Sequence, residues 1–323
     1  MSTPAIELIG VSKRFREKVA VDNLDLVVPE GSVCGFLGPN GAGKTTTIRM
    51  VMSILYPNEG EISVLGKKSA IESKDRIGYL PEERGVYRKM KVGEFLTFMS
   101  KLKGADTAGL KGRIEKELEK IGLPDVWKKR NEELSKGMQQ KVQFLATVMH
   151  DPELIILDEP FSGLDPVNAR LLRQLIDELH REGRTIIFST HVLHSAEQLC
   201  DRVFMINKGR KVLDGSVDEI RAEYDPRTIV VEPMEGPADT GALVEMPEIH
   251  SARQNTDNTL ELTVESGVDP RHAMGAIAHT NTMRRIELRR ASLEDVFVHL
   301  VEPGDSEDIL RKELSGIEQG AQA

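Results

Sequence analysis

The sequence predicts an α/β fold followed by a smaller α+β unit. Three observations carry that expectation. Short, largely apolar runs at Val33–Leu37, Leu154–Leu157 and Thr185–Thr190 have the composition of parallel strands covered on both faces. Segments with helical spacing separate these runs. Near residue 222 the pattern changes to β-α-β-β-α-β, the order of a ferredoxin-like sandwich. A chain of 323 residues is long enough for one large domain and one small one.

Taken in order, Ala5–Ile9 and Leu24–Val28 read as strands. The polar stretch Ser12–Arg16 between them holds one aromatic, Phe15, which suits a core position or a flat stacking surface equally. Val33–Leu37 is the next strand, and Lys44–Leu55 has the spacing of a helix. Tyr56–Gly60 is a turn, Ile62–Leu65 and Arg76–Leu80 are strands, and Pro81–Gly85 breaks the pattern. Val92–Lys103 and Leu110–Ile121 are charged helical segments separated by a loop at Gly104–Gly109. A further helix opens at Leu134–Met138, with Ser135 as a good N-cap. Its Met138, Val142, Leu145 and Met149 recur at roughly helical spacing and read as a buried face. These helices make an insert at about 85–150.

Beyond Leu154–Leu157, Ser162–Pro166 turns into a helix through Glu178. Thr185–Thr190 and Val203–Ile206 follow as strands, and Asn207–Arg210 is a hairpin-like turn before Lys211–Leu213. In the second unit, strands fall at 228–232, 249–254, 259–264 and 285–288, and helices at 238–244 and 270–278. Asn255–Asn258 reads as a hairpin turn. A last helix at about Ser292–Val301 has Ser292 and Asp295 at capping-box spacing. The expected organisation is a large domain at 1–222, a small one at 223–303 and a polar, acidic tail at 304–323.

Composition narrows the classes. Hydrophobic residues at 39% and charged residues at 29% fit a soluble globular protein. A net charge of −9 argues against a nucleic-acid partner. The two cysteines, Cys34 and Cys200, have no metal-ligand spacing and suit a reducing cytosol, with Cys34 read as a small buried residue. Met1–Gly10 lacks a basic segment followed by an apolar core, so no secretory signal is expected. No apolar run approaches the roughly 20 residues of a membrane span, so work at a membrane would need a separate subunit.

The chemistry centres on Gly38-Pro39-Asn40-Gly41-Ala42-Gly43-Lys44-Thr45, which fits G-x-x-x-x-G-K-[ST] between a strand and a helix. Such a loop turns several backbone N–H donors onto phosphate, and the helix N-terminus adds about half a positive charge. Lys44 suits the β- and γ-phosphates, and the Thr45 hydroxyl suits Mg²⁺. Asp158 and Glu159 end the apolar run at Leu154–Leu157. Carboxylates at the tip of a buried strand need a cation or a reacting centre. Asp158 suits Mg²⁺, Glu159 an attacking water, and His191, at another strand end, the γ-phosphate or that water.

Over about residues 5–220 the chain resembles the ATP-binding subunits of ABC transporters. Gly38–Thr45 is similar to their Walker A motif, and Leu154–Glu159 to Walker B with its catalytic glutamate. Leu134–Met138 with Gln139-Gln140-Lys141 resembles the signature, Ser162–Asp165 the D-loop and His191 the switch histidine. The resemblance implies ATP and Mg²⁺ as ligands, with Phe15 stacking on adenine. It also places Thr46 beside Gly38–Thr45 in the nucleotide site. It implies a head-to-tail homodimer in which Ser135 and Gly137 of one copy face the γ-phosphate held by the other. It further implies a separate polytopic membrane subunit and a cytoplasmic, membrane-peripheral location. The chain departs from the family in two places. Lys136 and Met138 stand where the signature commonly has Gly and Gln, and Glu82 stands where a glutamine is usual. Glu82 can still bind Mg²⁺ or its water. Segments 78–85, 134–141 and 292–297 resemble a narrower group, the exporter ATPases of the sodium-extrusion and multidrug kind. A non-transport ABC ATPase acting on ribosomes or DNA is the alternative. It is disfavoured because neither a second nucleotide domain nor a long coiled coil is visible.

Overall fold

Val33–Leu37 (β3) lies inside a mixed sheet whose strand order places the nucleotide motifs along one edge. The computed structural model describes residues 4–301, apart from 84, 226, 235–239, 256–258 and 281. The chain falls into two units, Met1–Val217 and Asp218–Ala323. The sequence expectation set this limit near 222, at the far end of the helix that spans the division.

The first unit opens with β1 (Ile6–Phe15) and β2 (Lys18–Val28), followed by β3, helix α1 (Lys44–Val51) and β4 (Glu59–Val64). β5 (Ile77–Leu80) leads to helices α2 (Val92–Leu102), α3 (Leu110–Lys120) and α4 (Lys136–Val148). Then come β6 (Leu154–Asp158), α5 (Pro166–Arg181), β7 (Thr185–Thr190), α6 (Leu193–Leu199), β8 (Arg202–Asn207) and β9 (Arg210–Ser216). Among the described residues, β5-β6-β7-β3-β8-β9 form one sheet, parallel except for the final β8–β9 hairpin. All residues of β3, β6 and β7 are buried, which explains their unalternating composition. β2-β1-β4 form a separate antiparallel sheet.

That smaller sheet corrects one expectation. The polar stretch Ser12–Phe15 is the end of β1, not a connection, and it pairs with β2 down to Phe15 opposite Lys18. Alternation fails there because the ladder is irregular and buries a polar residue. The Ser12 hydroxyl is buried and accepts the Asn23 N–H at 2.9 Å. The turn is made at Arg16, whose φ is 54°.

The predicted insert is α2–α4, between β5 and β6. On α4, Val142, Leu145 and Met149 are buried and Met138 is partly so. Ser135 caps this helix, its hydroxyl accepting the Met138 N–H at 3.3 Å. Cys34 is packed in the core, and burial pushes its thiol up to about 11. No described helix is long and apolar enough to cross a membrane.

The second unit comprises α7 (Val217–Glu223), β10 (Thr228–Pro233), α8 (Thr240–Val244), β11 (Ile249–Gln254), β12 (Leu260–Val264), α9 (Pro270–Thr280), β13 (Met283–Leu288) and α10 (Leu293–Val301). Its strands pair antiparallel in the order β11-β12-β10-β13. This is the β-α-β-β-α-β sandwich read from the sequence. Ile229, Leu243, Leu260, Leu262, Ala273 and Ile277 belong to its core. Ser292 and Asp295 form the expected reciprocal cap, with N–H bonds of 3.1 and 3.0 Å. The hairpin turn expected at Asn255–Asn258 falls largely outside the described residues, as does the tail at 304–323.

A buried histidine joins the insert to the first unit's core. His150 Nε2 lies 3.2 Å from the Ile77 carbonyl, to which Lys103 Nζ donates at 3.0 Å, and its Nδ1 has no partner. Burial with no acceptor at Nδ1 favours the neutral ring. Burial is the main cause holding its pKa below the ordinary 6.5; the Ile77 carbonyl bond opposes it, the adjacent Lys103 charge adds to it, and Asp75 and Asp151 oppose it. The unfolded chain therefore binds more protons below that value, and stability falls as pH drops. We predict that denaturant midpoints decline as pH is lowered through 6.5. His150→Gln, which keeps a donor but cannot titrate, should flatten that decline.

Candidate active site

The phosphate loop follows β3 and is fitted to the neighbouring backbone. Gly38 has φ 149°, and a Cβ there would meet the Ile206 carbonyl at 2.2 Å. Gly43 has φ 116°, and a Cβ there would meet the Ala20 carbonyl at 2.5 Å. Both positions therefore require glycine for conformation and for space. Gly43 also caps α1 without a side chain, so the first-turn N–H groups are left to an external acceptor. Lys44 is buried. Its Nζ donates to the Gly38 and Pro39 carbonyls at 2.7 and 3.2 Å and lies 3.6 Å from Glu159 Oε1.

Parallel register brings the remaining groups to the same sheet edge. Asp158 on β6 pairs with Ser189 on β7, and Leu37, last in β3, pairs with Thr190. Asp158 is 1% exposed. Its Oδ1 accepts from the Ser189 hydroxyl at 2.5 Å and from the Thr45 hydroxyl at 3.4 Å, whereas Oδ2 has no partner. Burial pushes its pKa up, the Ser189 bond opposes this, and the charge of Glu82 pushes it further up. Glu159 lies just past the strand with φ 49°, a left-handed conformation uncommon for a side-chain-bearing residue. Its N–H donates to the Ser189 hydroxyl at 3.0 Å and to the Ser189 carbonyl at 3.2 Å. Its Oε1 lies 3.0 Å from Nδ1 of the half-exposed His191.

A cleft of about 400 Å³ opens over this edge. Phe15, Asn40, Gly41, Gly43, Lys44, Thr45, Thr46, Glu82 and Glu159 line it, with Lys18 and Ala20, which the sequence did not single out. Phe15 is 45% exposed rather than core, and the Lys13 ammonium sits 5.3 Å from its ring centre. Pro39 and Ala42 complete the loop. Ser135 and Gly137 do not line this cleft. Instead a Cβ at Gly137 would meet Asn168 Nδ2 at 3.2 Å. Asp165, the N-cap of α5, fixes Asn168 by accepting its backbone N–H at 2.9 Å and its side-chain amide at 2.5 Å. The turn at Ser135–Gly137 thus lies against the start of α5 in its own chain.

The orphan Asp158 Oδ2 and the Thr45 hydroxyl suit Mg²⁺, which takes few protein ligands and otherwise water and phosphate oxygens. Among the described residues no group of three or more His, Cys, Asp or Glu gathers as a metal cluster, so this ion would depend on the nucleotide for its other ligands.

Sequence reasoning missed three polar side chains. Ser189 holds both acidic residues, and its signal was a hydroxyl near the end of an apolar strand. Gln140 donates to the Pro160 carbonyl at 3.2 Å and Gln143 to the Glu83 carbonyl at 3.4 Å. Both tie α4 to loops of the site, and their signal was polarity on a buried helix face.

Both units of the chain are similar to known proteins. The "ABC transporter" family model matches residues 21–162, and that of the "ATP-binding protein DrrA1-3-like, C-terminal domain" matches 215–301. The chain is 38% identical over 291 residues to the ABC transporter ATP-binding protein YhaQ of Bacillus subtilis, covering 90% of this chain and 96% of that one. It is 32% identical over 303 residues to the Nod factor export ATP-binding protein I of Rhizobium sp. (strain N33), covering 93% and 98%. The solved ATP binding subunit of an ABC transporter matches with a TM-score of 0.64 at 30% identity, over 69% of this chain and 93% of that one. At this identity and coverage, the chain belongs to the family of ABC transporter ATP-binding proteins.

Proposed function

We propose that this ATPase powers export through a separate polytopic membrane subunit, as a homodimer with ATP sandwiched between its copies. The observation that carries the reading is the convergence of Lys44, Asp158, Glu159 and His191 on one sheet edge below the phosphate loop. The export direction draws on the relatives' names and on the DrrA-like match of the second unit. Its site of action is the cytoplasmic face of the plasma membrane, and no nucleic acid takes part.

In this reading the 38–46 loop and the N-terminus of α1 hold the phosphates, and Phe15 stacks on adenine. Thr45, Asp158 and Glu82 would hold Mg²⁺, which neutralises phosphate charge when bound. Glu159 is the general base for the attacking water. His191 and Lys44 both engage its Oε1, which fixes the carboxylate while leaving its other oxygen to a water. Ser135 and Gly137 act in trans. The exposed Ser135 stands at the N-terminus of α4, where backbone donors and the helix dipole favour an anion. Each copy thus supplies half of each site. ATP closes the pair, hydrolysis opens it, and the insert after Glu82 passes the movement to the membrane subunit.

Glu159→Gln should bind ATP, form an ATP-dependent dimer stable enough for size-exclusion chromatography, and hydrolyse at least about a hundredfold more slowly. Turnover at the parent rate would remove Glu159 from the mechanism. Lys44→Ala should lose hydrolysis through weakened nucleotide binding, measured with a fluorescent ATP analogue. Unchanged analogue affinity with parent-like hydrolysis would contradict its role.

A further inference from the structure

We propose that Ser189 is a positioning residue that aims both acidic groups of the hydrolytic site, an inference that rests on the ATPase reading above. One hydroxyl serves Asp158, the last residue of β6, and Glu159 just past it. Its proton goes to Asp158 Oδ1 at 2.5 Å, and its lone pair takes the Glu159 N–H at 3.0 Å. The Ser189 carbonyl takes the same N–H at 3.2 Å. Ser189 itself is fully buried, and its neighbour Thr190 turns the chain toward His191 through a hydroxyl that accepts the Val192 N–H at 3.0 Å.

The two bonds do different work. On Asp158 the bond is asymmetric. It occupies Oδ1, already reached by Thr45, and leaves Oδ2 as the unpartnered oxygen. A carboxylate pinned through one oxygen has its plane set, so the other oxygen points in one direction. On Glu159 the bond holds the backbone. A left-handed φ of 49° is strained for a non-glycine residue and persists only where surroundings over-determine it. Two acceptors from one residue on a single N–H supply that over-determination. The conformation sends the Glu159 side chain back toward Lys44 and His191 rather than onward with the strand. Valine at 189 would suit an apolar parallel strand at least as well. A hydroxyl is needed only because the strand tip beside it carries chemistry.

A role limited to satisfying buried groups would change stability and leave turnover alone. The positioning role makes the opposite prediction. Purified full-length Ser189→Ala should bind a fluorescent ATP analogue within about threefold of the parent and keep its KM. Its kcat should fall by about tenfold to a hundredfold, the scale of a small misplacement of reacting groups. Binding of Mn²⁺ in the presence of a non-hydrolysable ATP analogue, followed by electron paramagnetic resonance, should weaken, because Oδ2 is no longer aimed. Ser189→Thr, which restores the hydroxyl on a side chain suited to a strand, should recover most of both losses. If the alanine variant does not fold, Ser189→Cys carries the same comparison, since it keeps the volume and weakens the donor. Unchanged kcat and Mn²⁺ affinity in a folded alanine or cysteine variant overturn the proposal. Failure of the threonine variant to exceed alanine in kcat also overturns it. The ATPase reading is judged separately by the parent and Glu159→Gln. If the parent hydrolyses ATP and Glu159→Gln does not, a silent Ser189 variant sinks only the role of Ser189.

Discussion

One buried ammonium and two buried carboxylates share a single sheet edge, and the first unit is arranged to keep them partnered there. Lys44, Asp158 and Glu159 are each at least nine-tenths buried. Uncompensated burial of such a charge costs several kcal/mol, so no member of the set can be considered alone. Lys44 answers Glu159 and two loop carbonyls, while Ser189 and Thr45 answer Asp158. These partners come from β3, α1, β6 and β7, whose parallel register fixes their relative height. A slip of one residue in β6 against β7 would move Asp158 off Ser189 and turn its side chain to the opposite face.

The apolar strands, the phosphate loop and both acidic residues were legible in the sequence because each has a local cause. Continuous apolar runs belong to strands covered twice, and the loop's glycines belong to backbone that a Cβ would obstruct. The elements misread are those decided by non-local partners. Lys13–Phe15 is strand because it pairs with residues 18–21 of β2 in a ladder whose irregular register no alternation reports. Ser189 looks like one more residue of an apolar strand until β6 is set beside it. Gln140 and Gln143 show polarity on a buried face, but only the fold says that their amides reach loops at Pro160 and Glu83. The residue pattern alone suits Phe15 to core or surface, and only the resemblance implies the exposed, stacking position. Its exposure beside the phosphate loop is set by the β1–β2 turn, which local pattern did not reveal.

The second unit was legible for a different reason. Its strands alternate, so their order and the helices between them could be read without long-range information. Its core is aliphatic, and Ser292 and Asp295 cap its last described helix. The Arg289 guanidinium bridges Glu261 on β12 to Asp295 at the start of α10, with bonds of 2.9 and 3.2 Å. That bridge ties the last described helix to the sheet.

The account rests on each phosphate loop being completed by the signature of another copy. A mixing experiment tests this directly. Lys44→Ala disables a chain's own loop, and Ser135→Arg disables the signature it would present to its partner. Each purified variant alone should be inactive in ATP hydrolysis. When the two are mixed, the hybrid dimer contains one site with both defects and one with neither. The account predicts that hydrolysis reappears on mixing at a substantial fraction of the parent rate. A mixture as inactive as its components, under conditions where hybrid dimers are shown to form, would contradict it.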